Sequence, residues 1–192
     1  LMKKILIGLT GRTGINSIAG CGKDTVANII SKQAGIPIYG FADPIYDMIK
    51  YGFGIDGKSD ELQDREKKSA RIDWLSNEKD ISLRYLLETL GTECGRNTVN
   101  RNIWTLIAEK RYLESANGLI IRDVRFQNEV EWLDKLGGTL VHIIRPDYIT
   151  QDANPYHISN MILPIGVSDK IILNNSDLKT LEKRVIDFLE SV

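Results

Sequence analysis

Ile7-Gly8-Leu9-Thr10-Gly11-Arg12, followed after a glycine-rich stretch by Gly22-Lys23-Asp24-Thr25-Val26-Ala27, decides the fold. Lys4 to Leu9 is short, apolar and rich in β-branched residues, which predicts a buried strand. Val26, Ile29, Ile30 and Ala34 recur at helical spacing, and Gly35 is a natural stop. Strand, glycine loop and helix, in that order, open a nucleotide-binding α/β unit. The phosphate-loop pattern at this place is G-x-x-x-x-G-K-[ST]. Its glycines let backbone N–H groups curl round phosphate oxygens, and the helix N-terminus adds positive potential. The lysine reaches the outer phosphates and the hydroxyl holds magnesium. Gly22-Lys23 fits the pattern, but the spacing departs from it. Ten residues, not four, separate Gly11 from Gly22. Asp24 takes the hydroxyl position and Thr25 comes one place late. The expectation is a loop from Gly11 to Gly22, with Gly20 to Thr25 round the phosphate and Lys23 on it.

Further along, strands and helices alternate. Short apolar runs predict strands at Ile36–Phe41, Leu119–Ile121, Leu140–Ile144 and Lys170–Leu173. Helices are expected from Asp43-Pro44, through Leu83, Leu86, Leu87, Leu90 and Cys94, and over Ile103–Leu113. Two more follow on Val130, Leu133 and Leu136, and on Leu178, Leu181, Val185 and Leu189. The polar stretch from Asp56 to Asp80 reads as a helical excursion on the surface, and residues 147–167 read as a lid-like loop. Alternation of this kind implies a parallel sheet covered on both faces, with ligands beyond the carboxyl ends of the strands. Those ends are Thr10, Ala42, Asp123, Arg145 and Asn174.

Composition sets the outer limits. The chain has 192 residues, 42% hydrophobic and 27% charged, which suits one compact domain. With 25 basic and 26 acidic side chains, the net charge of −1 offers no field for coating a nucleic acid. Cys21 and Cys94 give neither a disulfide framework nor a four-cysteine zinc site, and point to a reducing, cytosolic compartment. No apolar run approaches the ~18 residues of a membrane span, and Lys3-Lys4 with its short apolar sequel does not read as a signal peptide.

Four stretches carry a resemblance. They are Ile7–Arg12 joined to Gly22–Ala27, Phe41-Ala42-Asp43-Pro44-Ile45, Leu83–Glu93 with Arg96 and Trp104, and Asp123-Val124-Arg125 with Glu129 and His142–Pro146. In this order they resemble the phage-type deoxynucleoside monophosphate kinases, over nearly the whole chain. The resemblance implies an α/β P-loop kinase fold: three layers, α/β/α, on a five-stranded parallel sheet. A small helical substrate-binding insertion falls at 55–81. It implies transfer of the γ-phosphoryl group of ATP to a deoxynucleoside 5′-monophosphate with Mg²⁺, in the (host) cytoplasm. Small nucleotides would be the partners, without nucleic acid or membrane, and a homodimer is compatible with it.

Site residues follow from the motifs and the resemblance together. Lys23, Asp123 and Arg125 are the candidate catalytic groups. Gly11, Gly20, Gly22, Lys23, Asp24, Thr25, Arg145 and Asn175 are expected on ATP, with Asp24 or Thr25 on the metal. Ala42, Asp43, Arg65, Arg84, Gly91, Thr92, Arg96 and Trp104 are expected on the acceptor. Arg84 and Arg96 suit a bidentate phosphate contact. Some of these residues have plainer readings. Trp104 either stacks on a base or fills the core. Gly91-Thr92 also reads as a helix end. Asp123 either orients magnesium-bound water or sugar, or is an ion-paired strand end. Arg65 either closes over the monophosphate or sits on a solvated face. Two substitutions depart from the family pattern: Tyr46 stands where a lysine is expected, with Lys50 one turn later as its candidate replacement, and Glu88 stands for a glutamine. Two alternatives remain beside the kinase: another small-molecule P-loop kinase resembling dephospho-coenzyme A kinase, and an impaired nucleotide-binding homologue with a lengthened loop.

Overall fold

Five strands form one parallel sheet in the order β2-β3-β1-β4-β5: β1 Ile5–Thr13, β2 Ile38–Tyr39, β3 Gly118–Ile121, β4 Thr139–Arg145 and β5 Lys170–Leu173. The computed structural model describes residues 4–13, 20–59, 65–148 and 162–192. The chain divides into two compact units, Leu1–Gly40 with Thr105–Val192, and Phe41–Trp104.

The sheet unit is built as its apolar pattern dictates. Ile7 and Leu9 of β1 point to one face, where α1 (Lys23–Ala34) and α7 (Leu178–Leu189) bury Val26, Ile30, Leu181 and Val185 against them. Leu6 and Gly8 point to the other face by the two-residue period of a strand. There α6 (Gln127–Lys135) packs Leu133 over Gly8. The sheet is thus covered on both sides, as a three-layer α/β/α fold requires. Asp177 caps α7 by accepting from the Thr180 N–H at 2.8 Å. Among the described residues no helix is long and apolar enough to cross a membrane.

One expectation is corrected here. β1 does not end at Leu9. It continues through Gly11, Arg12 and Thr13, which pair with Ile143, Ile144 and Arg145 of β4. Pairing to β4 carries the strand past the point where β3 stops pairing, at Gly8. Gly11 is therefore a strand residue and not the first glycine of a turn. Of the expected loop, residues 14–19 lie outside the described residues.

The second unit, Phe41–Trp104, contains the 55–81 stretch and extends on either side of it. It holds α2 (Asp43–Phe53), with Pro44 in the first turn, α3 (Arg65–Ser69) and α4 (Leu83–Glu88). Of the expected helical excursion, residues 60–64 lie outside the described residues; the described part holds α3 and a loop closed by Ile72 N–H donating to Ile81 O at 2.8 Å and by the pairing of Arg71 with Ser82. Ser82 caps α4, its hydroxyl accepting from Tyr85 N–H. After Glu88 the helix neither stops nor stays α. It widens into a π-helix, Thr89–Val99, closed by Asn100 N–H donating to Gly95 O five residues back. Gly91-Thr92 is accordingly not a helix end. The cause is tertiary: the indole N–H of Trp104 donates to Gly91 O at 2.8 Å, and a Cβ at Gly95 would meet Trp104 Cζ2 at 2.5 Å. A side chain wedged into a helix at two glycines is a recognised cause of such local unwinding.

Last comes α5 (Ile103–Glu114), which leads from the second unit back to β3. The expected lid-like stretch lies largely outside the described residues, at 149–161.

Candidate active site

The turn Gly20–Thr25 enters α1. Gly20 and Gly22 take φ of 75° and 96°, the left-handed region that glycine tolerates. The carbonyls of Gly20 and Cys21 are held from the ends of β4 and β5. Arg145 Nη1 donates to Gly20 O at 3.2 Å, and Asn174 Nδ2 donates to Cys21 O at 2.9 Å. Val26 N–H to Gly22 O, at 3.0 Å, is the first bond of α1, so the N–H groups before it have no acceptor within the helix. No side chain among the described residues caps Gly22. An uncapped helix start behind two left-handed glycines is an anion cradle in its own right. Asp24 and Thr25 stand exposed in the first turn. Lys23 folds back along the turn, its Nζ 3.6 Å from Cys21 Sγ. Cys21 itself is fully buried among the core side chains under the turn.

The end of β3 supplies a second group. Asp123 and Arg122 both approach Gly40, where a Cβ would lie 3.1 Å from Asp123 Oδ2 and 3.0 Å from Arg122 Nε. Val124 N–H donates to Leu9 O, which fixes this segment beside β1. Glu129, only 1% exposed, reaches back to accept from the N–H groups of Arg125 at 2.7 Å and Phe126 at 3.0 Å. A carboxylate accepting two backbone N–H groups at a helix start is an efficient brace. It sets the backbone that carries Asp123 and Arg125, a role that the motif alone did not reveal.

Arg145 and Asn174 are two strand ends whose observed partner is the turn. Arg145 also lies over the Tyr148 ring, 4.4 Å from its centroid. Asn175, one of the residues expected on ATP, accepts from Arg184 Nη1 at 2.8 Å.

In the second unit the residues expected on the acceptor lie at the start of α2, on α3 and α4, on the π-helix and at the start of α5. Ala42 caps α2, its carbonyl accepting from Ile45 and Tyr46 N–H. Asp43 follows it and pairs with Lys58 at 3.2 Å. Arg84 donates from Nε to Ser69 Oγ at 3.1 Å, joining α4 to α3. Arg65 begins α3. Thr92 is 9% exposed, and Arg96, on the next turn, buries Nη1. Gly91 and Trp104 are packing partners: Trp104 is 3% exposed with its indole N–H bonded to Gly91 O. A ring so enclosed has no face open to a base, so of its two readings the structure takes the core. Lys50, the candidate replacement for the lysine absent at Tyr46, has an acidic partner here. Its ammonium is bound to Asp56 at 2.8 Å, a hydrogen bond that raises its pKa and lowers that of Asp56.

Comparison with known proteins gives the family of the chain. The family model for deoxynucleotide monophosphate kinase matches residues 56–185. The deoxynucleotide monophosphate kinase of Enterobacteria phage T4 is 30% identical over 113 residues, 57% of this chain and 46% of that protein. The deoxynucleoside-5′-monophosphate kinase of Escherichia phage T5 is 27% identical over 184 residues, 67% of this chain and 71% of that protein. A gluconokinase from Sinorhizobium meliloti 1021 aligns over 98% of this chain and 93% of its own with a TM-score of 0.51. At 13% identity that likeness shows the fold alone. The match over residues 56–185 covers more than half of the sequence, including the β3 end, the π-helix and both terminal strands of the sheet's later half: this chain belongs to the deoxynucleotide monophosphate kinase family.

Proposed function

We propose that the chain transfers the γ-phosphoryl group of ATP to the 5′-phosphate of a deoxynucleoside monophosphate, releasing ADP and the deoxynucleoside diphosphate. The observation that carries this reading is the uncapped turn Gly20–Thr25, tied back by Arg145 and Asn174 and bearing Lys23, in a chain of this family.

In the reaction an oxygen of the acceptor phosphate bonds to the γ-phosphorus, and the bond from that phosphorus to the β-bridging oxygen breaks. The acceptor oxygen is already anionic near neutral pH, since a phosphomonoester has its second pKa at about 6. No general base is therefore needed, and the role assigned to Asp123 is orientation. What remains is positioning and charge neutralisation. The turn and the α1 N-terminus hold the β-phosphate, Lys23 neutralises the β- and γ-oxygens, and Arg125 takes charge at the transferring group. On the acceptor side Asp43, Arg65, Arg84, Thr92 and Arg96 are the polar groups assigned to the monophosphate and its sugar. Among the described residues no cluster of three His, Cys, Asp or Glu side chains could hold a metal. A magnesium ion bound through substrate phosphates and waters needs only one or two protein oxygens. Asp24 and Thr25, exposed beside Lys23, fit that role, and the ion would supply charge neutralisation there.

The test is ADP release coupled to each of the four deoxynucleoside monophosphates. Turnover with at least one of them is expected, and Lys23→Ala is expected to lower kcat by about a thousandfold with the melting temperature unchanged. Turnover of none, or activity surviving in Lys23→Ala, would remove the assignment.

A further inference from the structure

Both left-handed glycines of the phosphate turn have another side chain where their own Cβ would be. A Cβ on Gly22 would lie 2.5 Å from Asn174 Nδ2, and one on Gly20 would overlap Tyr148 Cε1 and lie 3.0 Å from Tyr148 Cδ1. Each cover comes with a tie to a carbonyl. Asn174 itself donates to Cys21 O at 2.9 Å. Tyr148 lies under the Arg145 guanidinium, 4.4 Å from the ring centroid, and Arg145 Nη1 donates to Gly20 O at 3.2 Å. Local sequence brings ring and guanidinium together. Arg145-Pro146-Asp147-Tyr148 is a turn closed by Tyr148 N–H donating to Arg145 O at 3.4 Å. Proline in its second place has the φ that such a turn needs, and the turn folds its fourth residue back beside its first.

A long arginine side chain has many rotamers, and one hydrogen bond to a carbonyl restricts few of them. A ring under the planar guanidinium removes much of that freedom and adds cation–π attraction. The Tyr148 ring is 39% exposed and lies outside the buried core, so its place on Gly20 is not core packing. Gly20 serves twice: its φ of 75° suits glycine, and its bare Cα gives the ring its seat. The N–H groups that follow must stay aimed while the phosphoryl group moves. A misplacement of about 1 Å at such a site costs up to about a hundredfold in rate.

We propose that Tyr148 is a positioning residue of the phosphate turn: seated on Gly20 and stacked under Arg145, it fixes the Gly20 carbonyl and with it the N–H groups that receive the phosphates of ATP. The proposal rests on the reading of Gly20–Thr25 as the ATP phosphate cradle and deepens it. Tyr148 acts on the triphosphate through Arg145 and Gly20, not by stacking on the base.

The experiment uses the full chain, with calorimetric binding of magnesium-ATP and magnesium-tripolyphosphate beside steady-state kinetics. Tyr148→Ala is expected to raise both Kd values by about tenfold and to lower kcat by about tenfold, with the acceptor Kd unchanged. Tyr148→Phe, which keeps the ring, is expected to recover most of the loss. Tyr148→Ala should cost less in an Arg145→Ala background than in the parent, because the two residues act on one carbonyl. Loss of ATP binding with tripolyphosphate binding intact would make Tyr148 a base contact and overturn the proposal. Full additivity of the two Ala substitutions would overturn it as well, as would a Tyr148→Ala variant with the parent's Kd for both ligands. A parent that binds both ligands but turns over none of the deoxynucleoside monophosphates counts against the kinase reading alone, because the Kd series still decides the role of Tyr148. A parent that fails to bind ATP or tripolyphosphate overturns the positioning role too.

Discussion

The turn Gly20–Thr25 and the helix Leu83–Val99 are both read as phosphate-handling segments, and they are held in opposite ways. The turn is set by backbone: left-handed glycines, an uncapped helix start, carbonyls tied to strand ends, and a neighbouring loop braced by Glu129 through two N–H groups. The helix is set by side chains: Trp104 against Gly91 and Gly95, and Arg84 on Ser69. Backbone geometry is shared by any sequence with the right glycines, whereas side-chain ties must be re-made whenever one residue changes. The sheet unit should therefore tolerate surface substitution and fail at its braces. The helical unit should respond to single side-chain changes with shifts in acceptor binding.

Glu129 is the sharpest place to break the first half of that contrast. Glu129→Ala empties a site that is 1% exposed and removes the acceptor of the Arg125 and Phe126 N–H groups. Two part-buried donors lose a charged partner at once, so a loss of about 3 kcal/mol in stability is expected by chemical denaturation. kcat should fall while both KM values move little, because Arg125 is carried by that backbone. Glu129→Gln keeps an acceptor without the charge and should cost about 1 kcal/mol. If Glu129→Ala melts like the parent, the brace is not what holds this loop.

Gly95→Ala tests the other half. The new Cβ would lie 2.5 Å from Trp104 Cζ2 and 2.9 Å from Leu90 O, and neither the ring nor a backbone carbonyl yields cheaply. Overpacking of this kind costs about 2 kcal/mol. The distinguishing readout is kinetic: the acceptor KM should rise, since Thr92 and Arg96 ride on the same π-helix, and the ATP KM should hold. Combining Gly95→Ala with Trp104→Phe removes part of the clash and the indole bond together. Partial return of the acceptor KM in the pair would assign the effect to helix geometry and not to the ring itself.

The same contrast explains what the sequence could tell. The strands and the sheet-covering helices were legible because each carries its own apolar period: Val26, Ile30 and Ala34 on α1, and Leu181, Val185 and Leu189 on α7. Lys23, Asp24 and Thr25 fall at the head of α1, as strand-loop-helix order required. What was missed depends on partners distant in sequence. Gly11-Arg12-Thr13 has no apolar run and becomes strand only by pairing with β4. At the end of β5 the choice between Asn174 and Asn175 is one of parity, since neighbouring residues of a strand point opposite ways. Asn174 N–H pairs with Ile144 O, and the two side chains go to different partners, Asn174 to the turn and Asn175 to Arg184. The π-helix has no local signature either, because its register is imposed by Trp104. Glu129 was within the matched motif, but only its distances gave it a function.

The mildest test separates the two kinds of tie by pH and salt. Asp177 is held below the ordinary carboxylate range first by the backbone N–H of Thr180, and Asp56 first by the Lys50 side chain. A depressed pKa in the folded state means that each carboxylate stabilises the protein above its unfolded pKa of about 3.9, and that this contribution disappears as pH falls through the lower folded value. Asp177→Asn and Asp56→Asn should therefore each flatten the fall of melting temperature on the acid side of about pH 4. For Lys50 the sign reverses. Its raised pKa adds stability below the ordinary lysine value, lost as pH rises past it. Salt then distinguishes the two aspartates. At 1 M the screening length is about 3 Å, which weakens an exposed pair of side chains more than a cap bonded to the backbone. The acid slope attributable to Asp56 should shrink in high salt while that of Asp177 persists, both read as melting temperature against pH. An equal response of the two would erase the distinction between backbone-held and side-chain-held contacts at the surface, and would confine it to the buried braces at Glu129 and Trp104.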